Sequence, residues 1–186
     1  MARTPVVTRD QVPEQFRAAF DAETAASGGV LASGPGSAMI NSPEMRRRAN
    51  HLADYLRVES TALPKKIQEL AMIITARFMD CPFIWNAHAA RGREQGLSDA
   101  LVDALRDRKP LPPMPPDEAI VVSYMTQLFE THRVEQETFQ AAIDRFGAQG
   151  LTELTTIMGY YTLLAFNANA FEIDLPEERT ERVLPV

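Results

Sequence analysis

A carboxylate, a thiol and an imidazole lie close together in the chain: Glu69, Cys81 and His88. Cys81 is the only cysteine and His88 one of 3 histidines. A carboxylate bonded to an imidazole fixes its tautomer and raises its basicity, which suits proton transfer near neutral pH. A thiol at a helix start faces free backbone N–H groups that favour the thiolate. With Arg77 four residues earlier, the sequence predicts a Cys81 pKa below the ordinary value of about 8.5. One cysteine excludes an intramolecular disulfide and a zinc site built mainly on thiolates. There is no H-E-x-x-H and no close ligand pair, so no metal is expected. Gly28, Gly29, Gly34 and Gly36 fit no nucleotide-binding motif, so no cofactor is expected either.

Two helices with a very short break must position these groups. Pro64 suits a first helical turn, where its missing N–H costs nothing. Behind it Ile67, Leu70, Ala71, Ile74 and Phe78 form an apolar stripe at helical spacing. Pro82 opens the second helix, with Asp80 or Cys81 as cap. Gly96 ends it and Ser98 caps the next. Cys81, Ile84 and His88 share one side of the second helix. Cys81 and His88 are nevertheless about 10.5 Å apart along its axis, too far for direct contact. If the two helices run antiparallel across the tight turn, Glu69 comes level with His88 or slightly beyond it.

The residues Glu69, Cys81, Trp85, His88, Gly96 and Leu97 resemble those of the carboxymuconolactone decarboxylase-like and alkylhydroperoxidase-like (AhpD-like) helical proteins. The resemblance covers most of 49–173 and is densest over 64–105. In the peroxidase branch a Glu precedes a Cys-x-x-Cys pair and a His. Glu69, Cys81 and His88 match the Glu, the first Cys and the His. The second Cys falls at Ile84. In much of the decarboxylase-like branch that position is a Glu before Trp and His, and Ile84 departs from this too. The resemblance implies an all-α bundle of about seven to eight helices and a homo-oligomer, as dimer, trimer or hexamer. It implies Glu69, Cys81 and His88 as catalytic residues. It also marks His132, in a His-Arg-Val segment, as a substrate-binding candidate beside Trp85, Ile84 and Arg77.

The rest of the chain supplies the scaffold. Its 186 residues suffice for one domain with a real core. Hydrophobic residues at 45% and charged residues at 24% make an ordinary globular mix. The net charge of -6, with no large basic block, argues against nucleic acid. No apolar run spans a bilayer, and the start lacks a secretory segment, so the expected location is the cytoplasm. We read 1–186 as a single all-helical domain. Within it 12–62 is an N-terminal extension, 63–108 the motif region, 109–117 a proline-rich linker and 118–173 the C-terminal helices. A first helix is expected over 12–26, a Gly/Ser loop over 27–37 and a stop at Gly147. The nearly all-round apolar stretch 151–166 predicts a central or subunit-contacting helix.

Three functions follow. The first is a cofactor-free lyase or isomerase in which His88, oriented by Glu69, moves a proton on a small carboxylated or lactone substrate. Arg77, Arg91 and Arg93 are the candidates to hold its carboxylate. The second is a thiol peroxidase in which Cys81 depends on an external thiol. The third is a non-catalytic small-molecule binder.

Overall fold

The computed structural model describes residues 3–186, and among these it is all-α. The helices are α1 (Arg17–Thr24), α2 (Pro35–Met39), α3 (Pro43–Asp54), α4 (Lys65–Phe78), α5 (Pro82–Glu94), α6 (Asp99–Asp107), α7 (Pro116–Thr131) and α8 (Gln136–Ala170). A π-helical turn, Tyr55–Glu59, follows α3 directly.

Helix α4 is the centre of the bundle. It packs against α5, α6, α7 and α8. The expected stripe of Ile67, Leu70, Ala71 and Ile74 is buried, and so are Met72, Ile73 and Ala76 between its members. A helix closed on all sides reads as apolar all round, and α4 does so from Leu70 to Ile74. Its last turn departs from the stripe, because Phe78 is exposed and stacks on Phe129 of α7 at 4.8 Å between ring centroids. Asp80 adopts a left-handed φ of 45° in the three-residue turn after α4. The Cys81 N–H then bonds to the Ala76 carbonyl at 2.9 Å, and Pro82 starts α5 back alongside α4. Ser98 caps α6, its hydroxyl accepting the Leu101 N–H at 3.2 Å.

Two local expectations are corrected. The first helix is only Arg17–Thr24, with single 3-10 turns before and after it. Pro13, at φ −51° and ψ 139°, interrupts helical geometry, and Glu14–Phe16 closes as a single 3-10 turn before α1. The Gly/Ser loop is shortened at its end, because Pro35 opens the short α2. Gly147 does stop the helix that precedes it, as expected, and α8 is two helical arms that meet at this kink. Gly147 takes φ 69° and ψ 172°, which a side chain would resist, and the chain re-enters helix at once. The second arm of α8 packs against α4, α5 and α7 along one side. Leu154, Ile157 and Tyr161 face the core while Leu163 and Phe166 are exposed.

The N-terminal segment carries its own small cluster of Val7, Val12, Phe20 and Ile40. The C-terminal tail returns over the bundle. Leu184 is buried, Thr180 Oγ1 donates to the Asn86 carbonyl at 3.0 Å, and Arg93 holds Glu181 at 2.8 Å. No helix among the described residues is long and apolar enough to cross a membrane.

Candidate functional site

The α4–α5 hairpin brings Glu69 and His88 together. Glu69 Oε2 lies 2.7 Å from His88 Nδ1. Gly92 makes room beside this pair for Leu97. It follows His88 by one helical turn, and a Cβ there would stand 3.8 Å from Glu69 Cβ and 2.9 Å from Leu97 Cδ1. The Leu97 N–H closes onto the Gly92 carbonyl at 2.9 Å, after Gly96 has turned the chain at φ 97°. On the other side α8 sets Tyr161 edge-on to the imidazole, with ring centroids 5.0 Å apart and planes at 84°.

A carboxylate at Nδ1 makes that nitrogen the donor in the neutral ring, leaving the lone pair on Nε2. Nε2 bonds to no other described residue and is not among the sealed, unpartnered side-chain atoms, so the ring's 7% exposure includes it. Burial pushes the His88 pKa below its ordinary value and outweighs the hydrogen bond and charge of Glu69, which raise it. Arg57 and Arg91 push it further down. The expected rise in basicity is thus reversed, because desolvation of the imidazolium exceeds what one carboxylate returns.

Cys81 is set apart from this pair. It is the N-cap of α5, fully buried, and no described contact joins it to Glu69 or His88. Burial pushes the thiol above its ordinary range, against the weaker pull of the Ile84 and Phe83 backbone N–H groups. The predicted lowering is therefore corrected: the helix start does favour the thiolate, but the desolvation cost is larger. Alkylation of native protein at neutral pH is expected to be orders of magnitude slower than of denatured chain. Equal rates would contradict this burial.

The remaining candidates disperse. Ile84 and Trp85 lie in the core, and the Trp85 Nε1 has no hydrogen-bond partner. Arg77 is buried and bonds the carbonyls of Arg106 and Pro185, each at 2.9 Å, and Asp80. Arg93 is taken by Asp99, Asp103 and Glu181. Arg91 is exposed and enters no salt bridge among the described residues. His132 stands exposed at the end of α7 with φ 58°. It lines an apolar cleft of about 550 Å³ with Phe129, Met158 and Phe166, away from His88. Five clefts among the described residues are lined by none of Glu69, Cys81, Ile84, Trp85 and His88.

No family model matches the sequence, and no curated protein matches it. Solved structures do. A peroxidase-related protein from Ralstonia eutropha, described as an alkylhydroperoxidase AhpD core, superposes with a TM-score of 0.73 at 18% identity, over 95% of this chain and 93% of its own. A peroxidase-related protein from a Silicibacter species gives 0.72 at 14% identity, over 95% and 92%. A protein of unknown function from Agrobacterium tumefaciens gives 0.66 at 17% identity, over 75% and 96%. The fold is AhpD-like.

In this AhpD-like bundle, Tyr161, Arg57 and Gly92 belong to the setting of His88 and were not singled out from sequence. Tyr161 was visible only as half of a Tyr-Tyr pair in an apolar run. Arg57 is brought in by the π-turn, where the Lys65 ammonium bonds the Arg57 carbonyl and Gln68 Nε2 bonds the Leu56 carbonyl at 3.1 Å. Among the described residues no group of three or more His, Cys, Asp or Glu is placed to hold a metal ion.

The depressed His88 pKa has a signed consequence for stability. The unfolded chain binds a proton near pH 6.5 while the folded ring resists it, so this stability is complete above about pH 6.5 and is lost as pH falls through the folded value. Thermal denaturation between about pH 7.5 and about pH 5 is expected to show a falling Tm, with a shallower fall in His88→Gln. A Tm that rises on acidification would contradict it.

Proposed function

We propose that the chain is a cofactor-free lyase or isomerase of the carboxymuconolactone decarboxylase-like kind, acting on a small carboxylated or lactone substrate. One observation carries the reading: a buried, neutral imidazole held at Nδ1 by Glu69, with Nε2 left to exchange a proton. Nε2 takes a proton from one substrate atom, and the imidazolium, held by Glu69, returns it at another. No electrons leave the substrate, so no redox partner is required. The free Arg91, one turn beyond His88, and Arg57 are the groups we assign to the substrate carboxylate. The test is turnover of a set of lactone acids by the native chain and by His88→Ala. Turnover that survives the substitution unchanged would end this reading.

The words "peroxidase-related" attached to two structural neighbours raise the thiol alternative. The setting of Cys81 gives it no support, since the thiol is sealed and biased toward its protonated form. Peroxide challenge is the discriminating measurement, and a sulfenate on Cys81 would favour the alternative.

The proposed enzyme is a cytoplasmic homo-oligomer. Its support is the exposed apolar surface of Phe78, Leu163 and Phe166, the last 60% exposed, since patches of this kind mark association sites. Sedimentation is expected to give a multiple of the 20.7 kDa chain mass. Phe166→Glu is expected to shift that mass downward; a native protein that sediments as single chains would refute association.

A further inference from the structure

Tyr161 carries a polar group for which the fold has no use. The residue is only 2% exposed, yet its hydroxyl bonds to no other described residue. That hydroxyl is not among the sealed, unpartnered side-chain atoms either, so the little surface Tyr161 keeps includes it. A buried tyrosine normally finds a partner for its O–H, as Tyr124 does with Thr155 Oγ1 at 2.8 Å.

The neighbouring group with an open polar tip is His88, through Nε2. The two rings meet edge to face, 5.0 Å between centroids. Arg57 and Arg91 bear electrostatically on both residues. Burial pushes the Tyr161 pKa well above its ordinary value, against the opposing pull of Arg57 and Arg91, so the hydroxyl keeps its proton near neutral pH. A proton acceptor and a neutral donor, side by side and largely withdrawn from water, are the two groups that proton removal beside a carbonyl requires.

We propose that Tyr161 donates its hydroxyl hydrogen to the substrate carbonyl oxygen, where negative charge develops as His88 removes a proton. This rests on the acid–base reading above and narrows it to the isomerisation of an unsaturated lactone. Nε2 takes the proton from the carbon beside the lactone carbonyl. The C–H electron pair becomes a carbon–carbon double bond, and the carbonyl π pair moves onto the oxygen that Tyr161 holds. The oxygen then returns its pair, and the far carbon of the conjugated system takes the proton back from the imidazolium. The double bond ends one position nearer the carbonyl, and nothing is oxidised or lost. A fixed hydroxyl serves this step better than water, because it needs no reorientation as the charge appears.

The test is titration of the full chain with 4-nitrophenolate, whose anionic oxygen stands in for the enolate, followed by its absorbance. The uncharged analogue is 4-nitroanisole. The native chain is expected to bind the phenolate at one site, at least about tenfold tighter than the ether. Tyr161→Phe keeps the ring and removes only an unpartnered hydroxyl, so its Tm is expected to match the native value. Its phenolate binding is expected to weaken at least about tenfold, with ether binding unchanged. On any lactone acid the native chain isomerises, the same variant is expected to lower kcat by about 10² to 10³ at nearly constant KM, as loss of one oxyanion donor does. No phenolate binding by the native chain, equal phenolate binding by native and Tyr161→Phe, or an unchanged kcat in that variant would each overturn the proposal. The acid–base reading fails separately. Phenolate binding moves no proton, so it stands even where turnover survives His88→Ala.

Discussion

His88→Ala is expected to lower kcat by a factor of about 10² to 10⁴ on any substrate the native chain turns over, the range for loss of a positioned general acid–base. That corresponds to about 3 to 5 kcal/mol of barrier. KM is expected to move little, because Arg91 and Arg57 rather than the imidazole are assigned to the carboxylate. Glu69→Gln separates orientation from charge. The amide keeps the shape of the 2.7 Å contact but can donate to Nδ1, which turns the ring to the wrong tautomer. A loss of at least about tenfold is expected from it. The pH–rate profile supplies a check that a merely structural role would not move. Burial lowers the His88 pKa, so the rate is expected to rise with pH through a midpoint below about 6.5 and to plateau above it. A midpoint above that value would count against His88 as the base.

Trp85→Ala is expected to cost about 3 to 5 kcal/mol of stability, as large-to-small changes at a sealed aromatic site do. Trp85 has no exposed surface and belongs to the main core cluster. Against a total stability of roughly 5 to 15 kcal/mol this is a large share. Trp85→Phe is expected to cost far less. It removes the Nε1 donor, which has no partner, and that relief offsets part of the cavity left behind. Chemical denaturation of both variants reads the difference. Equal losses in the two would contradict a cost set by the size of the cavity left behind.

Much of the architecture was legible along the chain, because its causes are local. Pro82 with Cys81, and Gly96 with Ser98, mark α5 and the start of α6 through capping and turn geometry, which depend on a few neighbouring residues. The α4 stripe and the very short break together imply a hairpin, and the hairpin brings Glu69 level with His88. The N-terminal segment was less legible. Its first helix is short, and Pro13 and the 3-10 turns on either side break a pattern that reads as one helix over 12–26. Gly147 was legible as a break, because its φ of 69° is a conformation that glycine takes readily.

The tertiary structure alone decided the environment of each group. Arg77, Arg91 and Arg93 are indistinguishable by type and spacing, yet only Arg91 is left without an ion pair among the described residues. The partners of the other two, Asp80, Pro185 and Glu181 among them, come partly from a tail about a hundred positions away. The signs of the His88 and Cys81 shifts were set in the same way. A neighbouring carboxylate or a helix start is visible in sequence. The desolvation that outweighs both requires α8 and the bundle core to close over α5. Periodicity and capping are short-range and survive in the linear chain, whereas burial and charge pairing exist only between segments that folding brings together.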